Sequence, residues 1–422
     1  MSKFIINGGK KLSGTIAVAG NKNAVLPIMA ATLLVKGETR LTNVPRIHDV
    51  SAMADILKDL GAQIDGVGSN SLTIRTDGVN SYHVNPELAK KLRASVLLLG
   101  PLYARFGAVD LPHPGGDIIG QRTIDTHLRA LEMLGATIVQ APSQYHVERS
   151  ERKIDHEINL FLDEPSVTGT ENIIMAIALS SLNVHIENAA CEPHIVDLAH
   201  FLNACGASID EMGTNKISVS GKAQLAGTTY KIQPDYIEAG TFAVLSAVMD
   251  GAVEIEGVHE SDIQQPLHIL KQFGVSYRFA GNSLTVSVEK LTASKKRIQS
   301  APHPGFPTDL MSPFIVLGTQ AQGETLFHDP LYESRMFFVD KLIRMGAQIT
   351  ICDPHRVIIY GPTKLQGSYQ ASPDIRAGIA LVIAALIAKD KSIIDHAEII
   401  ERGYEQLAER LSVLGADIRK DG

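Results

Sequence analysis

The chain is poor in cysteine, in net positive charge and in long apolar runs. Its three cysteines, Cys191, Cys205 and Cys352, stand in no CxxC or Cys/His ligand spacing. Neither a disulfide framework nor a zinc site is written into it, and a reducing, cytoplasmic setting fits best. The formal net charge is −7, and no cluster of Lys or Arg overrides that average. A protein that coats nucleic acid is thereby excluded, and any anionic ligand must meet a local concentration of cations. The longest apolar run, Ala377 to Ala388, falls short of the about 20 residues that cross a bilayer. The first nine residues carry no apolar stretch long enough for a secretory signal. The expectation is a cytoplasmic protein with no membrane or nucleic-acid partner and no metal.

What the chain does have is 422 residues, 45% hydrophobic and 20% charged, too many for one ordinary core and enough for two or three domains. It also has a repeat. One pattern recurs six times: an amphipathic helix, a glycine, Ala or Val, then a strand-like stretch. The glycines are Gly61, Gly135, Gly206, Gly274, Gly346 and Gly415, with successive separations of 74, 71, 68, 72 and 69. A glycine just past a helix supplies the left-handed residue that stops it. Each unit opens with a very apolar helix, beginning near Asn23, Arg93, Thr170, Glu238, Asp309 and Arg376. A short strand, a loop, the amphipathic helix and two strands follow. Helices such as Leu381-Val-Ile-Ala-Ala-Leu-Ile have almost no polar stripe, so they belong inside, with the sheets outside.

The ends of the chain close this pattern. The last unit has one strand after Gly415 where the others have two, and Ile5 to Gly14 lines up with Ile358 to Gly367. The N-terminal strands therefore complete the sixth unit. The expected fold is α/β: two inside-out α/β barrel domains, each of three βαβαββ repeats, joined by a double linker. Residues 1–21 plus 234–422 form a discontinuous domain and residues 22–233 the other, with a cleft expected where they meet.

Packing demands are common to all six units, so function is sought where the units differ. Charged or amide residues recur at the starts of the apolar helices: Lys22 and Asn23, Arg93, Asp235 and Glu238, Asp309, Asp374 and Arg376. Helix capping accounts for Asp235, Asp309 and Asp374. It does not account for Lys22, Arg93 or Arg376, because a cation at a helix N-terminus is unfavourable unless an anion sits beside it. A second set, Arg46, Arg122, Glu192, Arg335 and Arg402, lies in the loops before the amphipathic helices. The second unit has the longest such loop, Leu111 to Arg122, with Gly115, Gly116 and Gly120 as hinge-like positions around Asp117. It reads as an active-site lid. No Walker loop, GxSxG, HExxH or dinucleotide fingerprint is present. The fifteen histidines are scattered, and each alone reads as a solvent or capping residue.

The repeat, lid and charged helix starts together closely resemble the UDP-N-acetylglucosamine 1-carboxyvinyltransferase family of enolpyruvyl transferases. The marks are Gly20-Asn-Lys-Asn-Ala24, Leu92-Arg-Ala-Ser95, Pro114-Gly-Gly-Asp-Ile-Ile-Gly-Gln-Arg122, Pro302-His-Pro-Gly-Phe-Pro-Thr-Asp309, Glu333-Ser-Arg335, Asp374-Ile-Arg376 and Arg402-Gly-Tyr404. They span essentially the whole chain. The resemblance implies transfer of the enolpyruvyl group of phosphoenolpyruvate to the 3′-hydroxyl of UDP-N-acetylglucosamine with release of phosphate, at the start of peptidoglycan precursor synthesis. It implies no cofactor, and a monomer is expected. Lys22, Asn23, Arg122, Arg335, Arg376 and Arg402 would hold phosphoenolpyruvate. Asn23, Arg93, Arg122, Thr123, Ile124, Asp125, Thr126, Ser166, Val167, Thr168, Asp309 and Leu331 would contact the sugar nucleotide. Asp117, Asp309, Lys22, Arg402 and Asp374 would be catalytic, with Asp309 as base and Asp117 as acid.

Asp117 is a departure, because most members of the family carry cysteine there. A carboxyl can still donate a proton, but its reference pKa of about 3.9 lies far below a thiol's 8.5. Fosfomycin, which alkylates the family's cysteine, is expected to leave this protein active. Thr168-Gly169, in place of the commoner Gly-Ala, and Tyr236, where arginine is frequent, depart as well. The nearest rival, 5-enolpyruvylshikimate-3-phosphate synthase, shares repeat and donor, but its Gly-Ser-Lys-Ser run is replaced here by Gly20-Asn-Lys-Asn23. A DNA sliding clamp also has six α/β units, but it needs basic helices facing the duplex. Helices such as Met53 to Leu60 are not consistently basic.

Overall fold

A computed structural model describes residues 2–116, 120, 123–249, 251–294 and 296–422. The chain divides into two compact units, one built mainly from Met1–Ala19 and Pro234–Gly422, the other from Gly20–Asp117 and Arg122–Gln233. Each unit has a hydrophobic core of its own.

In the first unit three helices, Tyr236–Val248, Met311–Gln320 and Ile375–Ile387, form the interior. Every residue from Ile375 to Leu386 is buried. At roughly 1.5–3 kcal/mol for each fully buried large aliphatic side chain, a helix without a polar stripe is stable only when covered on all sides. Three four-stranded sheets provide the cover. In each, a parallel pair is followed by two antiparallel strands; the parallel pairs are Ser13–Ala17 beside Ala252–Glu256, Arg297–Gln299 beside Gly323–His328, and Tyr369–Ala371 beside Lys391–Asp395. The last sheet is closed by Lys3–Asn7, which lies antiparallel between Lys391–Asp395 and Asp417–Asp421. The N-terminal strand is therefore the final strand of the sixth repeat, and Ser13–Ala17 is the first strand of the fourth.

The second unit repeats the design around Lys22–Ala31, Leu99–Phe106 and Val167–Ile177. The Asn172 side chain ties two of these helices together, accepting from the Gly100 N–H at 2.7 Å and donating to the Val96 carbonyl at 3.0 Å. The first sheet is completed by Thr229–Lys231, far along the chain, which pairs in parallel with Glu38–Thr42. The repeat with the long loop departs from the pattern. Its sheet has three strands, and the fourth is reduced to a single bridge between His83 and Asp110. Its interior helix also begins with a 3-10 turn, Arg93–Leu98. Within the second unit the Asn21 N–H donates to the Gln233 carbonyl at 2.8 Å, and within the first the Asp235 N–H donates to the Ala19 carbonyl at 2.9 Å.

All six punctuating glycines have left-handed backbones, with φ between 78° and 109°. Two of them separate conformation from crowding. A Cβ on Gly206 would meet nothing within 4 Å, whereas one on Gly61 would lie 2.6 Å from the Gly78 carbonyl oxygen. Gly206→Ala should cost roughly 1–2 kcal/mol, the strain of a left-handed L-residue, and Gly61→Ala more. Urea titration of the two variants compares them, and equal midpoints would refute the ordering.

Candidate active site

In the second unit the expected residues gather around helix starts. Asn21 caps Lys22–Ala31, its side chain accepting from Asn23 N–H at 2.8 Å and Ala24 N–H at 3.3 Å. Lys22 is thus free of any capping duty. Its Nζ lies 2.9 Å from Asp49 Oδ2, with both side chains largely buried. Asp49 supplies the negative charge that a cation at a helix N-terminus requires. The sequence offered only an acid in the first turn of an amphipathic helix, a placement that complements the dipole anyway, so Asp49 went unnoticed. Asn23 is half-buried beside it.

Arg93 opens its 3-10 turn half-buried. Gly115 and Gly116, expected as hinges, are needed for another reason. A Cβ on Gly115 would fall 1.7 Å from the Lys90 carbonyl oxygen, and one on Gly116 2.6 Å from Arg93 Cβ. The loop can lie against Arg93 only because these side chains are missing. Asp117 and Arg122, expected as acid and phosphate ligand, lie outside the described residues.

Thr123, Ile124, Asp125 and Thr126 lead into the helix Asp125–Met133. Thr123 and Asp125 are exposed, while Ile124 is a core residue that offers a ligand only its main chain. Thr126 donates its hydroxyl to Glu164 Oε1 at 3.2 Å. Ser166 caps Val167–Ile177, accepting from Gly169 N–H at 3.3 Å. The Thr168 hydroxyl bonds His127 Nε2 at 2.9 Å. This gives the Thr168-Gly169 departure a local role: the hydroxyl serves His127, and the glycine spares Ser166, whose Cβ and Oγ would stand 3.0 Å from an added Cβ. His127 is a residue that sequence reasoning missed. It joins the two expected nucleotide segments but shows no motif of its own. Burial first, and the Arg93 charge second, push its imidazole down to about 4.

In the first unit Asp309 is the centre. Its Oδ1 accepts from Arg335 Nη2 at 3.1 Å, and its Oδ2 accepts from Arg376 Nε at 2.9 Å and lies 2.8 Å from Arg376 Nη2. Asp309 stands in the first turn, where the helix dipole favours an acid, and its carboxylate also holds both arginines. Asp374 does cap, accepting from the Arg376 and Ala377 N–H groups at 2.8 and 2.9 Å, and it also lies 4.0 Å from Arg335 Nη1. Asp235 caps likewise, while Glu238 is held by Arg410 at 2.6 Å and by the Ala19 N–H at 2.7 Å. The unexpected Tyr236 is a core residue.

Behind Arg376 runs a directional chain. Arg376 Nη1 donates to the Tyr404 hydroxyl at 3.2 Å, and Thr241 Oγ1, 3.0 Å from that hydroxyl, donates to the Ile237 carbonyl at 2.8 Å. Tyr404 must then donate to Thr241. Burial pushes its hydroxyl up to about 12, against the pull of Arg376, so it keeps its proton at neutral pH. Burial works to lower the Arg376 pKa, but Asp309 opposes this and the net direction is upward. Tyr404 ends the Arg402-Gly-Tyr404 motif, and its bond to Arg376 is a long-range contact that the motif does not encode. Arg402 lies half-buried in the turn after Ala397–Ile400. Leu331 is exposed, with its N–H held by Asp329 Oδ1 at 3.0 Å.

Asp309 is thus a partly exposed carboxylate with a buried guanidinium on each oxygen, which fixes its direction. A family model for EPSP synthase (3-phosphoshikimate 1-carboxyvinyltransferase) matches residues 6–411. The UDP-N-acetylglucosamine 1-carboxyvinyltransferase of Bradyrhizobium diazoefficiens is 43% identical over 99% of this chain and 98% of its own length. That of Treponema pallidum is 42% identical over the whole of both chains. The chain belongs to the UDP-N-acetylglucosamine 1-carboxyvinyltransferase family. Among solved structures, the enolpyruvyl transferase NikO of Streptomyces tendae superposes with a TM-score of 0.88 over 99% of this chain and 98% of its own, at 21% identity. EPSP synthase of Acinetobacter baumannii gives 0.73 over the whole of both chains, at 20% identity. These two likenesses establish the fold: inside-out α/β barrels of three repeats. Family membership displaces the sliding-clamp reading.

A cavity of about 440 Å³ is lined by Thr126 but by no other residue expected in the site, and it carries no part of this assignment. Among the described residues no group of three or more His, Cys, Asp or Glu is arranged to hold a metal. Among the described residues no helix is long and apolar enough to cross a membrane.

The state of His127 is testable. An imidazole titrating near 6.5 when unfolded and near 4 when folded makes the unfolded chain the better proton acceptor between those values. Its contribution to stability is complete above pH 6.5 and is lost as pH falls towards 4, on the order of 3 kcal/mol in all. In a pH titration by NMR the His127 ring signals should stay those of a neutral imidazole at pH 5.5. A midpoint near 6.5 would contradict the burial argument.

Proposed function

We propose that this member of the family transfers the enolpyruvyl group of phosphoenolpyruvate to the 3′-hydroxyl of UDP-N-acetylglucosamine, releasing phosphate. The observation that carries the reading is Asp309 held between Arg335 and Arg376, in a chain that matches relatives bearing that name over its full length. Asp309 takes the proton of the sugar hydroxyl as its oxygen bonds to C2 of phosphoenolpyruvate. Asp117 protonates the C3 methylene, giving a tetrahedral adduct. Asp309, having passed the hydroxyl proton to solvent, then takes a methyl proton, and the double bond re-forms as the C2–O bond breaks and inorganic phosphate leaves. Lys22, Arg122 and Arg402 neutralise the phosphate, and Arg335 and Arg376 the carboxylate. Asp374 keeps Arg376 at its helix start and Arg335 in reach.

Asn23, Arg93, Thr123 to Thr126 and Ser166 to Thr168 contact the nucleotide sugar, with Leu331 beside the uracil. The reading needs no cofactor or metal. A cytoplasmic monomer serving cell-wall precursor synthesis, and so cell shape and division, completes the proposal. The EPSP synthase name belongs to the related branch. Its acceptor, shikimate 3-phosphate, is the control.

Phosphate release from phosphoenolpyruvate should require UDP-N-acetylglucosamine and should fail with shikimate 3-phosphate; the reverse pattern would overturn the assignment. Asp117→Ala should lower kcat by roughly 10²–10⁴, the usual worth of a general acid. Preincubation with fosfomycin should leave the rate unchanged, since a carboxylate is a far poorer nucleophile toward an epoxide than a thiolate. Time-dependent loss with an adduct on Asp117 would refute that.

A further inference from the structure

We infer that Asp329 is a positioning residue for this reaction, a role that rests on the function proposed above. Asp329 is wholly buried, with 0% of its surface exposed, yet it stands at the end of the strand Gly323–His328, remote in sequence from Asp309. Its carboxylate takes three hydrogen bonds, all from neutral donors. Oδ1 accepts from the Ser300 hydroxyl at 2.8 Å and from the Leu331 N–H at 3.0 Å, and Oδ2 accepts from the Thr308 hydroxyl. The main chain of Asp329 is held as firmly. Its N–H donates to the His355 carbonyl at 2.8 Å, and its carbonyl lies 2.7 Å from His355 Nδ1.

The consequence lies in what those donors carry. Thr308 opens the 3-10 turn Thr308–Leu310, whose start has no side-chain cap, and Asp309 is the next residue. The Thr308–Asp329 bond fixes the direction in which the turn presents Asp309 to Arg335 and Arg376. On the other oxygen, the Leu331 N–H fixes the loop that carries the residue expected beside the uracil. One carboxylate therefore sets both the proton acceptor and a nucleotide contact. It touches neither substrate. A displacement of about 1 Å in a reacting group costs on the order of 10²-fold in rate, so a bond of this kind is felt in turnover as well as in stability.

The test is steady-state phosphate release with both substrates varied. Asp329→Ala should lower kcat about 10- to 100-fold and raise KM for UDP-N-acetylglucosamine, while KM for phosphoenolpyruvate moves less than about threefold. Thr308→Val keeps the shape, removes one donor, and should lower kcat about tenfold with KM for the nucleotide unchanged; Thr308→Ser should restore it. Ser300→Ala removes the other bond to Oδ1, from a residue that belongs to neither the Thr308–Leu310 turn nor the Leu331 loop, so it should lower the melting temperature without changing kcat or either KM.

If Asp329→Ala does not fold, the Thr308 pair decides. The inference is overturned if Thr308→Val keeps parental kinetics, or if Ser300→Ala loses kcat equally, since the carboxylate would then only hold the core. A parent enzyme that releases no phosphate with these substrates would instead remove the functional reading and this role with it. Parental turnover with unchanged variants removes this role alone.

Discussion

Burial of the interior helices on all sides is the constraint from which the rest follows. Ile375–Ile387 and Tyr236–Val248 have no face that tolerates water, so sheets must surround them and three helices must share each interior. A helix placed this way can expose polar chemistry only at its ends. Lys22, Arg93, Asp309, Asp374 and Arg376 all stand at such ends. There the backbone N–H groups have no helical partner, and charge is accessible from outside the core.

That location creates an electrostatic problem that the protein solves with pairs. Arg335 and Arg376 are only 3% and 5% exposed, and a buried guanidinium without a counter-charge costs several kcal/mol. Asp309 answers both, and Asp49 answers Lys22. Polar residues one step further out then fix direction: Tyr404 and Thr241 behind Arg376, His127 between Thr168 and Arg93, and Asp329 beneath Asp309 and Leu331. Within each unit the cations are thus paired and aimed locally, although the net charge of −7 points the other way.

Much of the architecture was legible because it rests on repetition and on local conformation. The six left-handed glycines, the six apolar helices and the pairing of Lys3–Asn7 into the last sheet all depend on short segments that announce themselves. The cations of the site were legible too, because a positive residue at a helix start contradicts local electrostatics. Their partners were not. Asp49, His127 and Asp329 belong to no motif, and each meets its partner only through the fold. Asp309 shows the same limit: its place in the first turn was legible, but its pairing with Arg335 and Arg376 was not.

The sequence by itself determined the number of repeats, the inward placement of the apolar helices and the positions that carry unusual charge, since periodicity and helix termination act over neighbouring residues. Only the tertiary structure decided which acid meets which cation. Asp309 and Arg376 are distant along the chain, as are Thr308 and Asp329, and nothing in their neighbours encodes the approach. Such pairings are fixed when sheets close around a core, and the cost of burying an unpaired charge or hydroxyl selects the partner.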